Sequence, residues 1–532
     1  MKKIQIAFLG FILLNMTLPL FAQEPESDES LTFLANGSLT FQKQYEMLDD
    51  QREPKNIYET LWGVLDYQNS PFRLYIDIAL VGDSIYDPSE TYMLGRYVYI
   101  NDAYVDLDLD RFYIKAGRST QKDIIDSPYS LFVNSEPHPS TQIEAKYEGD
   151  FFFYTSRWVS LNNNSEQTYW GYGPDDDPFA FDLSAGNYYD QFYPDGVYWL
   201  DRGSNFHVYG LNLGDWSFGL QESAVFLHYD FNAELFFSPM IMYLTQLVVN
   251  GGAKPWNELA NSKHVMGFFA NRTTVDSYFG SQILVDDLNL SFVPGIDTND
   301  NHTRLAWSVG GSKDFNFGSL GFYHAGATKE TFASTYTHED DKTYASYDTD
   351  QVPVYYSSRP YSYTYYPAVQ YSLEDGTPMP IDYTQNYIGY KYGENNLAFM
   401  MDYTNSFYLR TDKQFSLYAA FEYVLNGAKS PVNPWHEYDD WADVPGSFTL
   451  LDDTIEHIVS VKARLDKPLP FFGEVFSVFM DAEFGMAINA MTLEPASVGT
   501  ETTEPWIYRP QEGVNEPIFG LTIGASYLWR LK

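Results

Sequence analysis

The sequence contains no cysteine, so neither a disulfide nor a lipid-modified cysteine can tie the chain down. A secreted chain of 532 residues without cross-links must be held by packing and hydrogen bonds alone. Past its first 22 residues it also lacks any uncharged apolar run of the ~20 residues that a membrane helix needs. Only a β-barrel could then carry it across a bilayer. Basic residues are scarce: 32 Lys and Arg stand against 72 Asp and Glu, a formal charge of -40. Such a surface repels polyanions and attracts cations, which argues against a nucleic-acid partner. Gly-x-Ser-x-Gly and His-Glu-x-x-His are both missing, and the nine histidines form no close pair with metal-ligand spacing. No cofactor, metal or enzymatic activity is therefore expected. The remaining enzymatic alternative is a hydrolase whose His207, His228 or His324 stands near a carboxylate in a barrel mouth.

What is present at the N-terminus is Lys2 and Lys3, the apolar run 4–20, and Leu-Phe-Ala ending at Ala22 before an acidic, polar stretch. That order predicts a secretory signal peptide over residues 1–22, with 23–31 as a short periplasmic segment and 32–532 as one barrel. Aromatic residues make up 18% of the chain, with 45 Tyr, 39 Phe and 11 Trp. A soluble domain has little use for so many amphipathic rings, whereas a barrel places them in girdles at its two membrane interfaces.

Residues 103–115, AYVDLDLDRFYIK, show the wall such a barrel would have. Ala103, Val105, Leu107 and Leu109 alternate with Tyr104, Asp106, Asp108 and Asp110, the period of an extended strand. A two-residue turn at Asp110 and Arg111 sets Leu109 opposite Phe112, Leu107 opposite Ile114 and Val105 opposite Ala116. On the other face Asp106 meets Lys115. One face is then apolar and the other acidic and hydrated, as in a membrane barrel or in a soluble sheet over a core.

The spacing of segments separates these two. Alternating stretches of roughly ten residues, about the length of a tilted membrane strand, continue to the C-terminus. Tight Gly- and Asp-containing turns alternate with long polar connections over residues 118–141, 162–203, 329–383, 426–454 and 489–515. Tight turns at one rim and long loops at the other are the plan of an outer-membrane barrel. The prediction is an all-β transmembrane antiparallel barrel with short periplasmic turns and long extracellular loops. The alternating segments number nineteen, counting QNYIGYKY at 385–392, and both ends can share the periplasm only if the number is even. About 18 strands are expected, with 16 to 20 allowed, and the miscounted region is placed at 415–456.

The block from residue 202 to 290 resembles a known pattern. A histidine-containing strand, a Gly-x-x-Glu strand, a short segment with proline, an asparagine and a strand ending in Asp-Asp follow in order. The matching residues are Gly219, Glu222, Pro239, Asn261, Gln282, Leu284, Val285, Asp286 and Asp287. In this it is similar to the capsule-assembly (Wzi) family of outer-membrane barrels. The resemblance implies an 18-stranded barrel associated with surface polysaccharide, whose long extracellular loops hold the polymer. Capsule-type members carry a periplasmic helical bundle before the barrel, and the roughly ten residues after Ala22 are fewer than a single average helix of ~11 residues.

Two functions follow as expectations: a polysaccharide-associated barrel, or a general or cation-preferring diffusion porin. For the lumen, the candidates are Asp106, Asp108, Lys115, Glu222, Asp286 and Asp287. Glu222 is expected to face the lumen with Arg202 or Lys263 as its basic partner. Asp286 and Asp287 break the strand alternation, either to meet a basic plug or a cation, or as a bulge at the rim. Tyr355, Tyr356, Tyr361, Tyr363, Tyr365 and Tyr366 form a tyrosine-rich loop that could lay rings on sugar C–H faces or could pack on itself. Clustered acids at 175–177 and 297–301 suit calcium or a solvated loop. The partners expected are outer-membrane lipids, surface polysaccharide and the barrel-assembly machinery.

Overall fold

In the computed structural model, eighteen strands close into one antiparallel barrel. The structure describes residues 29–42, 55–84, 92–93, 95–136, 138–162, 169–170, 197–198, 202–227, 231–242, 244, 262–287, 303–332, 363–364, 387–409, 413–429, 450–469, 476–495 and 506–531. The signal-peptide expectation at 1–22 lies outside them.

The first seven wall strands are β1 (Ser30–Gln42), β2 (Ile57–Asn69), β3 (Phe72–Val81), β4 (Arg96–Leu109), β5 (Phe112–Ser119), β6 (Ser140–Glu148) and β7 (Phe152–Asn162). Then come β8 (Arg202–Leu213), β9 (Trp216–Leu227), β10 (Ser262–Thr273), β11 (Ser277–Asp287), β12 (Arg304–Phe315) and β13 (Gly318–Ala327). The last five are β14 (Asn396–Leu409), β15 (Lys413–Asn426), β16 (Glu456–Pro468), β17 (Phe476–Ile488) and β18 (Asn515–Leu531). Each pairs with the next, and β18 returns to β1 in a register running from Leu31↔Leu531 to Gln42↔Gly520. Closure leaves no open edge, so every ladder group on the wall has a partner in a solvent that supplies none.

The hairpin of β4 and β5 has the register expected of it, with Asp106↔Lys115, Leu107↔Ile114 and Leu109↔Phe112. Asp110 takes the left-handed φ of 67° that so tight a turn requires. Short turns join β2 to β3, β4 to β5 and so on to β16 and β17, while the longer connections, such as those after β5, β7 and β13, leave the wall at the opposite rim. Both ends of the wall lie at the short-turn rim, which is therefore periplasmic. Phe72, Phe112, Phe152, Trp216, Phe315 and Phe317 stand exposed beside those turns and form an aromatic girdle. Above it the outward positions continue as Val105, Ile114, Phe268, Ile283, Val309, Phe322, Phe399, Phe421, Val461, Phe484 and Ile523, all exposed and apolar. A continuous apolar band around a closed barrel is a lipid-facing surface, and the protein resides in the outer membrane.

One expectation is corrected here. The miscounted strand is the segment at 385–392, and not the region 415–456, where β15 and β16 are true wall strands. Among the described part of that segment, Tyr387, Ile388, Tyr390 and Tyr392 are all buried, inside the barrel. Alternating residues read as a strand only when their two sides meet different surroundings; here both sides meet protein.

Candidate functional site

The register of β2 to β7 brings Gln68, Arg73, Asp106, Lys115, Glu144 and Arg157 into one row on the lumen wall. Charges alternate along it from Arg73 onward, and side chains of opposite sign on adjacent strands support each other. Arg73 Nε donates to Asp66 Oδ1 at 2.8 Å, Lys146 Nζ lies 3.0 Å from Glu144, and Arg157 clasps Glu144 from the next strand. Lys115 Nζ stands 5.3 Å from the centre of the Tyr104 ring, which itself stacks on Tyr75 at 5.3 Å. Asp106 is buried within the row, while Asp108 is exposed opposite Tyr113, nearer the periplasmic turn. Across the lumen, Lys462 faces Glu483 at 3.4 Å and Arg464 faces Asp481 at 3.9 Å, with side chains 32–47% exposed. Inward charges so open to solvent mean that water reaches this part of the wall.

The extracellular half differs. Residues 120–136, between β5 and β6, and 387–395, before β14, fold into the lumen. Tyr129, Leu131, Phe132, Val133, Tyr387, Ile388, Tyr390 and Tyr392 form one dry cluster with Val159, Phe206, Val225, Val265, Leu284, Met400 and Val424 of the wall. We refer to the two segments together as the plug.

Polar anchors at the edge of this cluster fix its position. Asp123 accepts from Gln221 Nε2 at 2.7 Å, from Gln282 Nε2 at 2.9 Å and from the N–H groups of Phe132 and Val133 at 3.0 Å. The Leu131 N–H donates to Gln282 Oε1 at 2.9 Å. Lys391 Nζ lies 3.2 Å from both Glu422 on β15 and Glu136 on the inward loop, and the Tyr129 hydroxyl donates to Glu422 at 2.9 Å. Burial opposes the Lys391 ammonium, but Glu422 and Glu136 outweigh it and raise its pKa. The Lys391 charge in turn holds the Glu136 carboxyl below its usual range.

Sequence reasoning missed Asp123, Gln221, Lys391 and Glu422. Available signals were the inward glutamines Gln221 on β9 and Gln282 on β11, with only β10 between them, and a lysine set among tyrosines in YIGYKYG.

The structure disperses the expected site. Asp106, Asp108 and Lys115 lie together on the lumen wall, below the plug. Asp286 points inward but is closed off, accepting from Lys263 Nζ at 2.8 Å and from the Phe332 N–H at 2.9 Å. The ladder shifts register between Val285 and Asp287, the latter pairing with Arg304, so the Asp-Asp pair marks a bulge at the extracellular end of β11. Lys263 is thereby assigned to Asp286 and not to Glu222.

Glu222 is a correction. It shares its strand face with exposed Trp216 and Phe218, and its register neighbours across the wall, Ser156 with Ala145 and His207, continue the outward row from Ile114. It therefore lies on the outside of the barrel. Its partners are His207 Nδ1 at 3.4 Å, the Tyr209 hydroxyl at 3.2 Å and the Met242 N–H at 2.8 Å.

At Tyr363 the structure takes the packing alternative and not the sugar contact. It stacks on Phe332 at 5.8 Å and donates its hydroxyl to the Phe132 carbonyl at 2.7 Å, which leaves it 1% exposed and without a face for a sugar. Tyr355, Tyr356, Tyr361, Tyr365 and Tyr366, like the acidic clusters at 175–177 and 297–301, lie outside the described residues. Among the described residues no group of three or more His, Cys, Asp or Glu could hold a metal ion.

No protein-family model matches the chain, and no curated protein matches it. Among solved structures it is similar to Wzi of Escherichia coli, an outer membrane protein involved in group 1 capsule assembly and described as a carbohydrate-binding β-barrel. The identity is 10%, over 93% of this chain and 83% of that chain, with a TM-score of 0.45. It is similar also to OccAB4 of Acinetobacter baumannii, at 10% identity over 96% and 99% of the two chains with a TM-score of 0.41. OccK5 (OpdH) of Pseudomonas aeruginosa has 9% identity over 96% and 100%, with a TM-score of 0.42. At such identities and TM-scores the likeness carries no information on what this chain does.

Proposed function

We propose that this outer-membrane barrel is a surface-polysaccharide-associated protein of the capsule-assembly type, with a lumen occluded by its own loops. The observation that supports this reading is the dry packing of 120–136 and 387–395 against the inner wall from β7 to β15. A passive pore has no use for an apolar core in the extracellular half of its lumen, where lumen walls are otherwise polar. The ordered resemblance from Gly219 to Asp287 supports it from the sequence side. On this reading Tyr355, Tyr356, Tyr361, Tyr365 and Tyr366 are the polymer contacts, and the barrel-assembly machinery inserts the protein.

A second reading, a cation-preferring diffusion channel, is favoured by the solvent-exposed charges of Asp108, Arg464 and Asp481 on the wall. Planar-bilayer recording of the full chain in symmetric salt, paired with binding of purified surface polysaccharide, tests the two. No steady conductance together with saturable polysaccharide binding is the expected result. Steady cation-preferring conductance without binding would replace the first reading by the second.

A further inference from the structure

The outer wall carries a feature that neither reading requires. On the outside of the barrel a short helix, α1 (Ala233–Phe237), and the described residues following it lie on β7, β8 and β9. Leu235, Phe236 and Met242 pack on Trp158, Ala224 and Phe226, whose strand faces point away from the lumen. Irregular backbone facing hydrocarbon is excluded unless protein satisfies its polar groups, since each unpaired group there costs several kcal/mol.

The wall supplies those partners at the expense of its own apolarity. Ser156 Oγ donates to the Phe236 carbonyl at 2.7 Å, and the Tyr209 hydroxyl lies 3.1 Å from the Met240 carbonyl. Glu222 accepts from the Met242 N–H through both carboxylate oxygens, at 2.8 and 2.9 Å. Other N–H groups bond within the segment itself: Leu235 to Asn232 Oδ1, Phe236 to the Asn232 carbonyl, Ser238 to the Glu234 carbonyl and Met240 to Ser238 Oγ. Tyr209 and Glu222 lie near the middle of their twelve-residue strands, well below the extracellular rim. The side of the segment turned away from the wall carries Phe237, 73% exposed, with Met240 at 52% and Leu244 at 46%. Glu234 is the one charged residue between 231 and 244. The exposed patch continues the lipid-facing band through Phe218 and Phe268, so it presents one surface with an established apolar solvent.

We propose that residues 231–242, with Leu244, form a strap embedded in the outer leaflet against the outside of the barrel, with lipid acyl chains as the partner of Phe237, Met240 and Leu244 and with Ser156, Tyr209 and Glu222 as its polar anchors. A carboxylate on a lipid-facing wall, otherwise anomalous, is thereby assigned a positioning role.

The cysteine-free chain suits a direct test. Nitroxide labels are placed singly through Phe237→Cys and Met240→Cys in the full protein in lipid vesicles, with Phe268→Cys as the lipid reference and Asp150→Cys as the aqueous one. Collisions with oxygen and with a water-soluble nickel chelate are then compared. Both strap positions are expected to favour oxygen, as Phe268 does, and Glu222→Ala is expected to raise mobility at Met240 without changing Phe268. Nickel accessibility matching Asp150 would place the segment in water and overturn the proposal. Labels shielded from both reagents would do the same by showing that protein, such as a second copy of the chain, covers the strap.

Discussion

Lys391 Nζ lies 3.2 Å from Glu422 Oε1, joining the plug to the wall of the barrel through a pair in which both side chains are almost fully buried. Tyr129 and Tyr392 bracket the ammonium with their rings, 5.4 and 5.0 Å from its nitrogen. A cation so enclosed leaves the buried Glu422 carboxylate uncompensated when removed.

Lys391→Ala should therefore weaken docking of the plug by about 3–5 kcal/mol, the usual cost of stranding one member of a buried pair. The expected readout is a planar-bilayer conductance greater than that of the parent protein, which is itself expected to be closed. A closed variant with unchanged thermal stability would mean that the aromatic cluster holds the plug unaided.

Acid should act on the same contact through Glu136. Lys391 depresses its folded-state pKa below the ordinary value of 4.5, so the contact stabilises docking above that value and is lost as pH falls through the depressed one. Docking should be indifferent to pH between 5 and 8 and should loosen only as pH falls below the ordinary 4.5 and through the depressed value. Limited proteolysis of residues 120–136 across that range measures it, and Glu136→Gln should remove this component of the acid response.

Gly389→Ala should separate the two segments of the plug. A Cβ there would stand 2.3 Å from the Leu131 carbonyl oxygen and 2.8 Å from the Tyr363 ring, and Leu131 backbone on one side with a buried ring on the other leaves little room to yield. Overpacking of this kind costs about 1–3 kcal/mol. Gly63→Ala, where the nearest atom would be 3.8 Å away, is the matched control and should leave the melting temperature nearly unchanged.

Once the plug is loosened by Lys391→Ala, the charged wall below it should determine ion preference. Adding Asp106→Asn and Asp108→Asn should shift the reversal potential in a salt gradient toward lower cation selectivity. Most of the shift should come from Asp108, because Asp106 is buried between Arg73 and Lys115 in the row. An unchanged reversal potential would remove this pair from the ion path.

The wall was legible in the chain because its information is local. The period of two over residues 103–115, with a turn at Asp110 and Arg111, was enough to give the register Asp106↔Lys115 and the sign of each face. The same period misled at 387–392, where YIGYKY alternates like a wall strand but is enclosed on both sides by the plug and the inner wall. Glu222 failed differently. Its face could be read by counting along β9 from Trp216 and Phe218, but a carboxylate among apolar neighbours suggested the lumen while the strap that covers it was unknown.

The sequence by itself determined a barrel: alternating faces, an even count near eighteen, tight turns at one rim and an excess of acid and aromatic residues. Each of these follows from the bilayer acting on residues close in the chain. Only the tertiary structure decided which surfaces stay in contact with lipid or water. Lys391 meets Glu136 from 255 residues away, and Met242 meets Glu222 across the outside of the wall. Alternation assigns every residue a side, but burial depends on which distant segment comes to lie on that side, and no local pattern carries that information.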